Sequence, residues 1–121
     1  MHSFAHAAYD PRVDFWRLDD EPVQPHSPRV LHSDDEATRV ILLALPAGER
    51  LSEHQVHEHA LVAVLDGEVI IRAGAHEEQL GPQGLVHFEP AERHEVEAVS
   101  DSRLLLCLAP WPGPGHPSRT D

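Results

Sequence analysis

His54, His57 and His59 crowd into one short segment, and a fourth imidazole, His94, opens a second alternating segment further down the chain. Neutral imidazole is the commonest metal ligand. Two or three with an open coordination position suit a divalent transition metal such as zinc, manganese, iron or nickel. In His94-Glu-Val-Glu-Ala-Val99 a period of two puts His94, Val96 and Ala98 on one face and Glu95 and Glu97 on the other. The glutamates belong in water, so His94 is expected to face the interior, where an imidazole must be hydrogen-bonded or metal-bound. Strict alternation pairs His57 with His59 as an i, i+2 chelating set and separates His54. A bulge near Val56 would instead let His54 and His57 converge. Both arrangements stay open, with His57 or His59 as the third ligand. Glu58 is a candidate carboxylate ligand or general base, although a solvated loop acid is the commoner role. His87 sits in an alternating segment and reads first as a packing residue.

These side chains need strands to hold them. Arg39–Leu45, Leu61–Leu65, Glu68–Arg72, His76–Leu80, Leu85–Glu89, His94–Val99 and Arg103–Ala109 are short, apolar or alternating, and separated by Gly, Pro or polar turns. Asp66-Gly67 between two of them fits a two-residue hairpin turn. Short strands at close spacing, with no helical stripe, imply an all-β sandwich or small barrel. Residues 1–38, broken by Pro11, Pro22, Pro25 and Pro28, read as an extended N-terminal arm with a short strand at Val13–Leu18, anchored by Phe15 and Trp16. Residues 39–109 form the barrel. Residues 110–121, rich in Pro and Gly, form a C-terminal tail without regular structure, packing through Trp111.

At 121 residues the chain suits one domain. Nine basic residues, all arginine, against 21 acidic ones give a formal charge of -12, so this acidic protein repels phosphate backbones and anionic membranes. Neither nucleic acid nor membrane is an expected partner. No apolar run approaches the roughly 18 residues of a membrane span. The single cysteine, Cys107, lies in an apolar strand as a core filler, and cysteine scarcity suits a reducing cytoplasm.

Two stretches resemble the cupin motifs. Pro46-Ala-Gly48, then His54, then Val64-Leu-Asp-Gly67-Glu looks like the first: Gly, five residues, His-x-His, three or four residues, Glu, six residues, Gly. Gly84-Leu-Val-His-Phe-Glu-Pro90-Ala-Glu-Arg-His94 is similar to the second: Gly, five residues, Pro-x-Gly, two residues, His, three residues, Asn. The resemblance implies a cupin-like jelly-roll β-barrel (a double-stranded β-helix) in a single domain, often paired as a homodimer. Counting back from Gly67, Ala60 stands at the motif glutamate and Val56 at the second histidine. In the second motif Glu92 replaces the glycine, and His94 arrives one residue early. Only His54 and His94 match metal-ligand positions.

Two functions follow. The first is a divalent-metal site inside the barrel, with His54 and His94 as ligands and His57 or His59 completing the set, acting on or binding a small-molecule ligand. The second is a metal-free ligand-binding or sensing module without catalytic activity.

Overall fold

The computed structural model describes residues 13–54 and 56–117, without the side chains of residues 52–54. Residues 1–12 of the expected arm, with His2 and His6, and the last residues of the tail, 118–121, lie outside the described residues. A 3-10 turn at Leu18–Asp20 precedes nine strands: β1 Arg29–Ser33, β2 Ala37–Leu45, β3 Arg50–His54, β4 His59–Asp66, β5 Val69–Ala73, β6 His76–Leu80, β7 Leu85–Phe88, β8 His94–Ala98 and β9 Ser102–Trp111. They form two antiparallel sheets, ordered β1-β2-β9-β4-β7 and β3-β8-β5-β6. Consecutive strands mostly change sheet, which is jelly-roll connectivity, and the fold is a jelly-roll barrel.

The inner faces follow the period of two. Ala60, Val62 and Val64 of β4 meet Val69 and Ile71 of β5, Phe88 of β7, Val96 and Ala98 of β8, and Leu104 and Leu108 of β9 in one buried cluster. Burying each large aliphatic side chain contributes roughly 1.5–3 kcal/mol, so this cluster clamps the two sheets face to face.

Four expectations need correction. Asp66-Gly67 does not close a hairpin, because β4 pairs with β7 and β9 while β5 pairs with β6 and β8. The turn is a corner carrying the chain between sheets. The Glu68 carbonyl there accepts from Val99 N at 2.8 Å, and Glu68 N donates to Ser100 Oγ at 3.1 Å. The two-residue hairpin is instead Gly74-Ala75, where Ala73 pairs with His76. Val13–Arg17 forms no strand, and Phe15 is 87% exposed, so it anchors nothing. Trp16 is 40% exposed and makes an edge contact with the His32 ring, at 6.3 Å between centroids. The prolines withdraw backbone donors from the early arm, where a single bridge joins Gln24 and Ser27, and strand pairing begins at Arg29, after Pro28. β9 also runs past Ala109 to Trp111, whose ring lies under Arg39 at 4.6 Å. Cys107 sits in β9, half-buried, and burial pushes its thiol up.

On the outer face of the four-stranded sheet, Glu95 and Glu97 meet arginines rather than bare water. Arg72 donates to Glu97 at 2.8 Å and to Glu95 at 3.0 Å, and Arg50 approaches Glu95 at 3.2 Å. The hydrogen bond from Arg72 holds the Glu97 carboxyl below its ordinary range. A lowered folded-state value means the contribution is present above the ordinary carboxylate range and is lost as pH falls through the folded value. In an NMR pH titration, Arg72→Ala is expected to move the Glu97 midpoint upward. An unmoved midpoint would remove Arg72 as the cause.

Candidate functional site

β8 delivers His94 inward as its alternation requires, and the residue is 4% exposed. Its ring stacks on Phe88, with centroids 3.9 Å apart and planes 6° from parallel, and its Nδ1 donates to the Glu92 carbonyl at 3.1 Å. In the neutral ring that bond leaves Nε2 as the acceptor nitrogen, which is how protein carbonyls orient ligand histidines. β3 pairs its His54 backbone directly with His94 after a register irregularity between Leu51 and His54.

The other two candidates are placed elsewhere. The period of two of β4 extends back through His57, so Glu58 and Ala60 are buried while His57 and His59 are exposed. The His57 ring meets His116 edge-on at 5.5 Å, against the C-terminal segment. His59 stacks on His87 across the outer face of the five-stranded sheet, with His59 Nδ1 and His87 Nε2 3.0 Å apart. His87 and Phe88 are neighbours on opposite faces of β7, so His59 and His94 lie on opposite sides of the sheet. Neither His57 nor His59 joins His94. A catalytic zinc site takes three protein ligands. Among the described residues no group of three donors includes His94, and the motif positions at Val56 and Ala60 pack into the core instead. The side chain of His54, the other motif ligand, lies outside the described residues.

One trio of donors does form, outside the barrel: His59, His87 and Glu89, whose ligand atoms lie within 4.8 Å of one another. This group could bind a metal. From sequence, His87 reads first as a packing residue, and Glu89 is not singled out. The apolar parity of β4 and β7 marks His59 and His87 as outward-facing, but nothing in the chain order says that β4 and β7 are neighbours.

A second feature is a cavity of about 480 Å3 where β6 and β7, the edges of the two sheets, face each other unpaired. Ile71, Leu80, Val86 and Phe88 form its apolar wall, and His76, Glu78 and Glu92 supply polar groups. Cross-strand pairing of Ile71 with Glu78 and Ala73 with His76 turns these polar side chains toward the same face as the core residues of β5.

The connectivity and the inward histidine define the class: a jelly-roll barrel with a single-domain core. Within that class the chain has the cupin fold. It is similar in structure to a cupin superfamily protein from Desulfitobacterium hafniense DCB-2, with TM-score 0.67 and 16% identity over 81% of this chain and 92% of that one. It is also similar to the Cnp3 cupin domain of Schizosaccharomyces pombe, with TM-score 0.71 and 15% identity over 79% of this chain and 68% of that one. The DMSP lyase DddQ from Ruegeria pomeroyi DSS-3 matches with TM-score 0.63 and 18% identity over 68% of this chain and 45% of that one. At these identities the likeness is one of fold. No family model matches the chain, and no curated protein matches it. Among the described residues no helix is long and apolar enough to cross a membrane.

Proposed function

We propose that this protein is a small-molecule-binding cupin domain that recognises its ligand in the seam between β6 and β7 without a metal in the barrel. The observation that carries this reading is the cavity of about 480 Å3, which has the size of a small-molecule site and pairs an apolar wall with a few converging polar groups. Glu78 and Glu92 border it, in a chain of formal charge -12. The preferred ligand therefore has an apolar body and a cationic or hydrogen-bond-donating head.

The test is a 1H–15N NMR titration with phenethylamine and with phenylacetate, which share a ring and carry opposite charges. Phenethylamine is expected to shift resonances of β5, β6 and β7 and to bind at least about tenfold tighter than phenylacetate, a difference of about 1.4 kcal/mol. Ala73→Trp, which fills the cavity from its wall, should abolish both responses. Shifts confined elsewhere, or no shifts from either probe, would overturn the proposal.

A second reading, a metal held in the barrel by His54 and His94, is favoured by one observation: the Glu92 carbonyl orients the His94 ring as a ligand, opposite the His54 backbone. Elemental analysis of untagged protein decides it. Near-stoichiometric transition metal that disappears in both His54→Ala and His94→Ala would establish this reading. Metal-free protein with a melting temperature indifferent to added zinc, manganese, nickel or iron(II) would end it.

A further inference from the structure

We propose that His59, His87 and Glu89 form a surface site for a divalent transition-metal ion, with zinc as the reference ion, on the outer face of the five-stranded sheet. The site lies on the opposite side of the sheet from His94, and of its three residues His87 also borders the seam cavity.

The arrangement follows from register. β4 and β7 are antiparallel neighbours with Ala60 opposite Phe88 and Leu61 opposite His87. Ala60 and Phe88 are buried in the core, so the pleat sends the residues beside them, His59, His87 and Glu89, to the other side. His87 and Glu89 are then an i, i+2 pair on one strand, and His59 reaches them from the next. The His59 and His87 rings are stacked 18° from parallel, with centroids 5.2 Å apart.

The distances suit an ion. Two nitrogens each about 2.0–2.1 Å from one zinc are about 2.9–3.4 Å apart, for angles between octahedral and tetrahedral. His59 Nδ1 and His87 Nε2 are already 3.0 Å apart. The Glu89 carboxylate stands 4.0 Å from His59 Nδ1, and a small rotation of this exposed side chain closes that gap. Two imidazoles and one carboxylate are a set that zinc accepts while keeping open positions for water. The three side chains are 49%, 42% and 67% exposed, so an ion reaches them without any movement of the core. The acidic field of the whole chain raises the local concentration of cations.

The experiment is calorimetric titration of the full, untagged chain with zinc chloride, beside nickel-induced line broadening in 1H–15N spectra. One zinc equivalent is expected, with affinity at least about tenfold weaker in His59→Ala and in His87→Ala and unchanged in His76→Ala. Nickel should broaden signals around residues 59, 87 and 89 first. Glu89→Gln, which keeps the shape of the strand end, should also weaken binding and serves as the check if either alanine variant melts early. Absence of zinc binding, affinity unaltered in the His59 and His87 variants, or broadening centred on residues 54 and 94 would each overturn the site. The last outcome would point to the barrel interior, and His59→Ala, at a residue that does not border the seam cavity, separates loss of zinc from loss of amine binding.

Discussion

Gly67→Ala is expected to destabilise the protein by about 2–5 kcal/mol, whereas Gly48→Ala should cost only about 1–2 kcal/mol. Both glycines belong to the stretch that resembles the first cupin motif, and both sit in the left-handed region, at φ 89° and φ 85°. An L side chain there costs roughly 1–2 kcal/mol at either place. The surroundings separate them. A Cβ on Gly48 meets nothing within 4 Å, while one on Gly67 collides with Ser102 Oγ and the Asp101 carbonyl and falls 2.7 Å from Ser102 Cα. Two of those three atoms are backbone at the start of β9, which cannot give way without moving the strand that is central to the five-stranded sheet. Overpacking of this kind adds about 1–3 kcal/mol. Urea unfolding of the two variants measures the difference. Equal costs would show that the corner tolerates a methyl group and that only the dihedral matters.

That corner also shows where sequence reading stops. Asp-Gly between two apolar runs announces a reversal, and a reversal is present. Whether the strands on either side pair depends on which edges are free, and that is decided by distant segments. Here the Glu68 carbonyl is taken by Val99 N, in the β8–β9 connection, so the chain leaves one sheet and enters the other. His94 was legible for the opposite reason: its inward face follows from the parity of its own strand, with Glu95 and Glu97 on the outside. The same rule, run backward from Ala60, Val62 and Val64, puts His59 outside. Alternation correctly puts His57 and His59 on one face, but that face is the outer one. The contact between His59 and His87 requires the β4–β7 pairing, which joins segments separated by two intervening strands, and local pattern carries no trace of it. The apolar residues at positions 56 and 60 were visible in the sequence as departures from the motif. Their consequence, a core that closes over those motif positions, needed the packing.

The second large effect is expected from Glu58→Ala, a loss of about 2–3 kcal/mol together with release of the C-terminal segment. Glu58 is 1% exposed, the most deeply buried acid among the described residues, and its Oε2 accepts from the Gly113 N–H at 2.7 Å. Gly113 has no room for a side chain, since a Cβ would collide with the His57 carbonyl and lie 3.1 Å from Glu58 Cγ. Beyond it, His116 wedges between the rings of His57 and Trp111, at 5.5 and 4.7 Å. The carboxylate thus fastens residues 113–116 across the entrance to β4. A hydrogen bond to a charged group contributes about 1.5–3 kcal/mol, and its removal also strands a buried N–H. Relief of the buried charge offsets part of this loss, which keeps the figure below that of a broken buried ion pair. Glu58→Gln retains an acceptor oxygen of the same reach and should lose about half as much. Amide hydrogen exchange at Gly113 supplies the local readout: protection is expected to fall sharply in Glu58→Ala and partly in Glu58→Gln. In a chain ending at Trp111 the carboxylate regains water, so Glu58→Ala should there cost less than about 1 kcal/mol, a non-additivity that only direct contact produces. Unchanged Gly113 protection in the alanine variant, or an equal cost in the full and shortened chains, would show that Glu58 does not hold this segment.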